Sequence, residues 1–184
     1  MAQRDDLLVW IDLEMTSLVD PRVDSITQLA AIITDKDLNV VAEGEEITIH
    51  ADPEQFEHIP EDTKEVYRQS GLIPSIVAST VTEAEAEERV LAFVSAYVAR
   101  GTSPLCGNSI YNDRMFLKFR MPTLNEHLHY RNIDVSTFKE LARRWRPELY
   151  AEAQQMKAHK THHALDDIRG SIAELKLYRE RWLK

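Results

Sequence analysis

Residues 7–16, LLVWIDLEMT, combine a run of large apolar side chains with two carboxylates. Leu7 to Ile11 have the composition of a buried strand, and Asp12 and Glu14 continue the same run. An unpaired carboxylate in an apolar interior costs several kcal/mol, a large part of the stability of a small fold. Strand side chains alternate between faces, so Asp12 and Glu14 project from the same face, two residues apart. This stretch predicts a rigid buried strand that carries two acids.

Two carboxylates placed this close repel each other unless a cation neutralises them. A site made of oxygen ligands suits Mg²⁺ or Mn²⁺. The alternative is a strand end that emerges into solvent, where both acids are hydrated. The D-x-E spacing by itself leaves both interpretations open.

Length and composition favour one globular domain spanning residues 1–184, with 43% apolar and 29% charged residues. No apolar run approaches the roughly 20 residues that cross a bilayer, and no signal peptide is expected before Leu7. Cys106 is the single cysteine of the sequence. We therefore expect a small buried side chain at this position and a reducing, cytoplasmic location.

The net charge of −9 is unevenly distributed along the chain. Residues 1–99 carry 6 Lys and Arg against 21 Asp and Glu, whereas residues 100–184 carry 16 against 10. No long basic groove that would follow a nucleic-acid polymer is evident. We therefore expect no long duplex nucleic acid and no membrane as partners, and any anionic ligand is expected to be short.

The hydrophobic patterns predict strands first and then helices that alternate with strands. The leading strands are predicted at 7–14, 26–34 and 40–50, the last with a bulge at Gly44, and later strands at 103–107 and 132–135. Helices are predicted at 82–101, 112–121, 137–146 and 163–182, with T-x-x-E capping boxes at Thr82 and Thr137. This order of elements predicts an α/β fold with a mixed sheet flanked by helices on both faces.

Helical spacing predicts the direction of two further acids. Asp113 shares one side of its helix with Phe116 and Leu117, although the helix dipole alone would also favour an acid there. In the last helix, Asp167 lies about a quarter-turn from the apolar stripe, and Asp166 lies almost opposite that stripe. We expect Asp167 at the margin of the core and Asp166 in water.

His162 precedes Asp167 by five residues, so the two side chains do not share one helical face. We expect His162 on the segment that enters the last helix. The chain has seven His residues, and the neighbouring His163 is a competing candidate for any catalytic role.

Taken together, these residues resemble the DEDD exonuclease superfamily in its His-containing DEDDh branch, which has the ribonuclease H-like fold. The matching elements, in chain order, are the D-x-E of Asp12 and Glu14, the distant Asp113, and the H-x-x-x-x-D of His162 and Asp167. Longer blocks narrow the resemblance to the oligoribonuclease family. These blocks are VWIDLEMT (9–16), CGNSI (106–110), HYRNIDVST (129–137), KELARRW (139–145) and HHALDDIRGSIAEL (162–175).

The resemblance covers residues 7–182 and implies a metal-dependent 3′→5′ exoribonuclease. The implied substrates are short RNA oligonucleotides, down to dinucleotides, which are degraded to 5′-mononucleotides, and the implied assembly is a homodimer. The implied ligands of two divalent ions, Mg²⁺ or Mn²⁺, are Asp12, Glu14, Asp113 and Asp167. The resemblance also implies His162 as general base and a contribution of Tyr130 to the active site, from the partner subunit.

The substrate contacts that the resemblance implies lie between the acidic blocks. Leu18 would wedge against the bases, and the terminal 5′-phosphate would be bound by Ser109, Arg131 and Ser136. The segment 56–72 departs from the family pattern, because Tyr67 replaces a common His and Asp62 or a neighbour replaces a bulky aromatic residue. Stacking on the 5′ base is therefore expected to be built differently in this chain.

Three rival functions stay open on the sequence. A DNA-proofreading subunit or a tRNA-trimming ribonuclease would share the DEDDh pattern but prefer longer substrates. A non-catalytic RNA-binding module on a degenerate nuclease fold would be expected to lack at least one of the acids. A structural protein stabilised by metal would lose stability on chelation and would have no hydrolytic activity.

Overall fold

The computed structural model describes residues 5–57, 59, 61–156 and 163–183. The strands are β1 (Leu8–Met15), β2 (Ile26–Thr34), β3 (Val40–Glu43), β4 (Ile47–Thr48), β5 (Leu105–Gly107) and β6 (Asn132–Asp134). The helices are α1 (Glu61–Ser70), α2 (Leu72–Ala78), α3 (Glu83–Ser95), α4 (Tyr111–Arg120), α5 (Pro122–His127), α6 (Val135–Trp145), α7 (Pro147–Met156) and α8 (Ala164–Arg181).

The strands form a sheet in the order β3-β2-β1-β5-β6, and β4 also pairs with β2. β2 runs antiparallel to β1, β3 and β4. β5 runs parallel to β1 and to β6. The sheet is therefore mixed, as the sequence predicts, and β1 lies in its centre.

Alternation along β1 divides the core into two layers. The odd-numbered side chains of β1 pack against α3, α4 and α5, and Trp10 packs against the layer of α6, α7 and α8. The Trp10 indole N–H donates to Thr34 Oγ1 at 3.0 Å, which satisfies its one polar group. Asp12 and Glu14 continue the even-numbered series, so the pleat directs them toward the α8 side of the sheet. The predicted helices on both faces of the sheet are confirmed.

The predicted continuous strand 40–50 is wrong, because the chain leaves the sheet between β3 and β4. At this break the Gly44 amide donates to the Ala31 carbonyl at 2.9 Å. A Cβ at Gly44 would lie 3.1 Å from that carbonyl oxygen and 3.2 Å from the Phe93 ring. The glycine therefore permits a close approach, and the break brings Glu46 out of the sheet.

Helix starts agree with the sequence at one position and differ at another. The Thr82 capping box is confirmed, with Thr82 Oγ1 accepting the Glu85 amide at 3.2 Å and Glu85 accepting the Thr82 amide at 2.8 Å. The capping box predicted at Thr137 is wrong, because α6 already begins at Val135 with Asp134 as its N-cap. Aspartate is at least as good an N-cap as threonine, so the earlier start prevails.

Prolines begin two helices that the sequence pattern did not predict. Pro122 and Pro147 lie just beyond the ends of α4 and α6, and they occupy the first positions of α5 and α7. Proline is favoured there because its missing N–H would have no partner inside the helix. Cys106 is buried, as predicted. Among the described residues, no helix is both long enough and apolar enough to cross a membrane.

Candidate active site

Three carboxylates from opposite ends of the chain meet beside β1. One oxygen each from Asp12, Glu14 and Asp167 lies within 4.8 Å of the other two, and all three residues are partly buried. Asp12 and Glu14 are held by β1, and Asp167 lies in the first turn of α8, which packs across β1 and β2. The sheet and the last helix thus build one acidic cluster.

The chemistry of this cluster fits a hard divalent cation. All three side chains offer oxygen ligands, which are the ligands that Mg²⁺ and Mn²⁺ prefer. Carboxylates at this separation repel one another when ionised, and a divalent cation removes that repulsion. Partial burial strengthens both effects, because the local dielectric constant is below that of water.

The two adjacent acids of α8 point in different directions, as the helical spacing predicts. Asp167 joins the cluster. Asp166 is exposed and accepts a hydrogen bond from Arg169 Nη1 at 2.9 Å, one turn further along the helix. The first-turn position of Asp167 also places its charge at the positive end of the helix dipole.

Asp113 lies next to the cluster but outside the group of oxygens within 4.8 Å. It is only 5% exposed, and its Oδ1 accepts the backbone N–H of Leu13 at 2.9 Å, between the two acids of β1. Burial raises the pKa of the Asp113 carboxyl to about 7. The bond from Leu13 opposes this rise, and the nearby charge of Asp134 adds to it.

Two serines that the resemblance implicates in phosphate binding lie against the same carboxylate. Ser109 follows β5 and has a left-handed φ of 56°, and its amide donates to Asp134 Oδ1 at 2.9 Å. Ser136 lies in the first turn of α6, and its amide donates to the same oxygen at 2.9 Å. The Ser136 hydroxyl also donates to that oxygen, at 2.6 Å. Asp134 therefore brings the two serines together.

Tyr130 and Arg131 lie on the segment between α5 and β6. Both are exposed, Tyr130 to 77%, and the Arg131 guanidinium carbon lies 5.5 Å from the centroid of the tyrosine ring. Arg114 holds this segment from α4, because its Nη2 donates to the carbonyls of His129 at 2.6 Å and Arg131 at 3.3 Å. The segment is thus fixed at its backbone and open at its side chains.

Leu18 lies on the turn that follows β1 and is 54% exposed. A neighbouring cleft of about 550 Å³ begins at the same turn. Its lining residues are Thr16, Ser17, Val19, Asp20, Val23, Asp24, Glu54, Gln55 and Ile59. An apolar side chain is therefore presented to solvent directly beyond the acidic end of β1.

Tyr67, one of the departures in segment 56–72, is only 2% exposed. Its ring packs edge-on against Phe56 at 5.3 Å between centroids, and its hydroxyl lies 2.7 Å from Thr27 Oγ1. Thr27 in turn donates to the backbone carbonyl of Glu14 at 3.0 Å. Tyr67 therefore supports the end of β1 from within the core. The side chain of Asp62, the other departure, is outside the part of the chain that the structure describes.

Of the two histidine candidates, His162 lies outside the described residues. His163 directly precedes α8, and its Nδ1 lies 3.2 Å from Glu46 Oε1. This contact gives His163 a structural role at the start of the helix.

Sequence reasoning missed two residues of this region, Asp134 and Arg114. Each had a signal in the sequence. Asp134 precedes the apolar Val135 at a helix start, as an N-cap does, and Arg114 directly follows Asp113 on the same helix. Ser109 is distant from Asp134 in sequence, and His129 is distant from Arg114, so only the folded chain identifies these contacts.

The chain is similar to known exonucleases in sequence and in fold. The model of the Exonuclease family RNase_T matches residues 9–175. An oligoribonuclease of Shewanella loihica is 48% identical over 184 residues, covering 100% of this chain and 99% of that protein. An oligoribonuclease of Halorhodospira halophila is 51% identical over 177 residues, covering 96% and 94%.

A solved structure of the zinc-bound complex of E. coli exonuclease I with single-stranded DNA is similar in fold, with a TM-score of 0.68 and 17% identity. The superposition covers 98% of this chain and 42% of exonuclease I, so this chain spans about two fifths of that protein's length. The likeness establishes the ribonuclease H-like exonuclease fold. With the full-length identity to the bacterial relatives, it follows that the chain belongs to the oligoribonuclease family of exonucleases.

Proposed function

We propose that this chain degrades short RNA oligonucleotides, down to dinucleotides, in the 3′→5′ direction to 5′-mononucleotides, and that it does so at the acidic cluster. Membership of the oligoribonuclease family supports the reaction and the substrate class. The convergence of Asp12, Glu14 and Asp167 supports the location. This convergence is the observation that carries the proposal, because partly buried acids from β1 and α8 repel one another unless a cation lies between them.

Membership of this family implies a divalent metal, and the cluster is where the described residues can hold one. We assign two ions, Mg²⁺ or Mn²⁺, to Asp12, Glu14 and Asp167 together with Asp113. When bound, such ions activate the attacking water and neutralise the charge that develops on the phosphate and the leaving oxygen. The Leu13 amide engages only Oδ1 of Asp113, so its second oxygen can share in this binding, and a cation would hold the carboxyl ionised at neutral pH.

His162 has the role of general base in this proposal. An unperturbed imidazole has a pKa of about 6.5, so a large fraction is neutral and able to accept a proton near neutral pH. His162 precedes Asp167 by five residues in the sequence, as in the H-x-x-x-x-D pattern of the family resemblance. The alternative, His163, is engaged with Glu46.

Binding of the 5′ end is assigned to Ser109, Arg131 and Ser136. The two serines lie against one carboxylate, and Arg131 is exposed and able to form a charge-assisted bond with a phosphate. Leu18 is assigned to packing against the bases, because it is an exposed apolar side chain beyond the acidic strand end. A 5′-phosphate held by these groups would select the shortest substrates without a long basic groove.

We assign a homodimer in which Tyr130 reaches the partner's active site. Tyr130 is 77% exposed, and α4 carries two further exposed aromatic side chains, Tyr111 and Phe119, which are 67% and 53% exposed. Exposed aromatic residues at one surface are typical of protein interfaces. Arg114, which holds the backbone around Tyr130, lies on the same helix. A partner subunit on this surface would cover the aromatic side chains and contact the segment that bears Tyr130.

The test is hydrolysis of a 5′-phosphorylated RNA dinucleotide with Mn²⁺, with and without EDTA, and with products separated by size. We expect mononucleotides with Mn²⁺, none with EDTA, and recovery when Mn²⁺ is restored. A length series should give faster turnover of dinucleotides than of longer RNA. Preference for long substrates would favour the proofreading or tRNA-trimming alternatives. A protein that chelation destabilises but that never hydrolyses RNA would be the structural alternative.

A further inference from the structure

Asp134 joins two elements at the proposed binding site for the 5′-phosphate. It ends β6 and caps α6, and its Oδ1 accepts three hydrogen bonds. The donors are the Ser109 amide, the Ser136 amide and the Ser136 hydroxyl. One carboxylate oxygen therefore aligns two of the three residues assigned to the phosphate, although they come from different parts of the chain.

The conformation of Ser109 depends on this contact. Its φ of 56° lies in the left-handed region, which a residue other than glycine adopts at a cost. The Asp134 oxygen holds the Ser109 amide, and the Ser109 carbonyl accepts the Asn112 amide at 3.1 Å. Without the carboxylate oxygen, the first of these two restraints is lost, and the residue is free to leave this strained conformation.

The Ser136 hydroxyl has a single proton, and in this structure it donates that proton to Asp134 at 2.6 Å. A phosphate that accepts a hydrogen bond from the Ser136 hydroxyl must replace Asp134 as the acceptor of that bond. Asp134 therefore aligns the hydroxyl before substrate arrives, and the two anions then exchange as acceptors. The exchange replaces one charge-assisted hydrogen bond with another of the same kind.

We propose that Asp134 is a positioning residue that sets the preference of this enzyme for substrates with a 5′-phosphate, by aligning Ser109 and Ser136. This inference rests on the proposed assignment of those two serines to the phosphate. It adds that the selectivity resides in a residue that does not itself bind the substrate.

The test compares kcat/KM for an RNA dinucleotide with a 5′-phosphate and for the same dinucleotide without it. Asp134→Ala is expected to reduce the ratio of the two values by about tenfold or more, the size of effect expected when a charge-assisted hydrogen-bond network is lost. Asp134→Asn is expected to keep the ratio, because all three donors use Oδ1 and an amide oxygen can accept them. If the Asn variant keeps the ratio of kcat/KM values, the effect comes from alignment of the serines and not from the charge of Asp134.

A further variant distinguishes loss of alignment from loss of the N-cap of α6. Asp134→Ser retains a good N-cap for α6, but its shorter side chain does not span to Ser109. This variant should therefore fold, and its preference for the dinucleotide with a 5′-phosphate should still be reduced. Thr82→Ala, which removes the N-cap of α3 in another part of the molecule, is the matched control. It should lower the melting temperature and leave the ratio unchanged.

Each other outcome has a definite meaning. If Ser109→Ala and Ser136→Ala reduce the ratio while Asp134→Ser and Asp134→Ala leave it unchanged, the inference on Asp134 is overturned and the phosphate assignment stands. If the two serine variants also leave the ratio unchanged, the phosphate assignment itself fails. If Asp134→Asn loses the ratio as fully as Asp134→Ala, charge is required and alignment is not the explanation.

Discussion

Asp113 is the residue whose chemistry depends most on where the fold places it. Near a helix start in water it would be an ordinary ionised acid. Here it is 5% exposed and shares its side of the helix with the apolar residues Phe116 and Leu117. Its Oδ1 accepts a hydrogen bond from the Leu13 amide of β1. Burial raises its pKa to about 7. The protein thus keeps a proton on this carboxyl until a cation replaces it.

The raised pKa predicts that the metal-free protein loses stability as the pH rises. The unfolded chain ionises Asp113 near 3.8, whereas the folded chain holds the proton up to about 7. The contribution is therefore complete below the unfolded value and is lost as the pH rises through the folded value. Between about pH 5 and about pH 8 the loss is about 3 kcal/mol. Urea unfolding in EDTA at the two pH values measures it.

Asp113→Asn is the control for this pH dependence. The amide does not ionise, so the variant should lack the part of the pH dependence that Asp113 contributes. The result that contradicts the argument is an identical change in the free energy of unfolding for the variant and the unmodified protein. Titrating groups that are distant from Asp113 are present in both chains and cancel in the comparison.

The adjacent acids of α8 should differ sharply when altered. Asp167→Asn removes a member of the acidic cluster and should lower Mn²⁺-dependent turnover by about a hundredfold or more. Asp166→Asn removes an exposed partner of Arg169 and should change turnover by less than about threefold. Turnover across a Mn²⁺ titration measures both effects. Equal losses in the two variants would contradict the assignment of faces on this helix.

The two neighbouring histidines should separate catalysis from structure. His162→Ala is expected to lower kcat by about 100-fold to 10,000-fold, the usual contribution of a general base, while the Kd for a dinucleotide changes little. His163→Ala should lower stability and leave most of kcat, because His163 contacts Glu46. Single-turnover rates and equilibrium binding measure the two quantities. Near-normal kcat for His162→Ala would transfer the role to His163.

At the scale of elements, the start of α8 is fixed by one side chain from β2 and one from the break between β3 and β4. His163 is its N-cap but makes no side-chain capping bond. Instead the Ala164 amide donates to Gln28 Oε1 at 2.9 Å, and the Leu165 amide donates to Glu46 Oε2 at 3.0 Å. The first amides of a helix have no partner within it, so these contacts complete its hydrogen bonding. They also fix the first turn, which carries Asp167.

This anchoring predicts that Glu46 affects metal binding without belonging to the cluster. Glu46→Ala frees the first turn of α8 and should raise the Mn²⁺ concentration for half-maximal activity several-fold, with about 1 kcal/mol lost in stability. Glu43→Ala is the matched control, because it removes the partner of Arg169 from the exposed surface of the same helix. Such a surface ion pair contributes about 0–1 kcal/mol to the stability of the fold. Equal Mn²⁺ requirements for the two variants would show that the anchoring does not control the cluster.

At the scale of the whole molecule, α4 connects the region of the acidic cluster to the Tyr130 segment. Asp113 faces the core from this helix, while Tyr111 and Phe119 face solvent. Arg114 connects the two by holding the backbone at His129. A partner subunit that covers the exposed aromatic residues would therefore lie close to a catalytic centre.

Mixing two inactive variants tests whether Tyr130 acts across subunits. Tyr130→Ala leaves its own carboxylates intact, and Asp167→Asn leaves its own tyrosine intact. A 1:1 mixture that re-equilibrates is half heterodimer, and each heterodimer regains one complete site. Activity should therefore return to about one quarter of the unmodified level. No recovery, with dimers confirmed by sedimentation, would mean that Tyr130 acts within its own subunit or elsewhere.

Much of this arrangement follows from local patterns in the sequence. The apolar run of β1, the alternation that puts Asp12 and Glu14 on one face, and the divergence of Asp166 and Asp167 all depend on neighbours within a few residues. The Thr82 cap is local in the same sense. Such features are decided by backbone periodicity and by hydrogen bonds to the nearest turn, which any window of sequence contains.

Only the tertiary structure decided the contacts between distant segments. The break at Gly44 depends on the approach of the Ala31 carbonyl from the neighbouring strand. The bond from the Ser109 amide to Asp134 and the anchoring of α8 by Glu46 join residues far apart in the chain. These contacts depend on how the two helical layers pack on the sheet, and no local spacing encodes that packing.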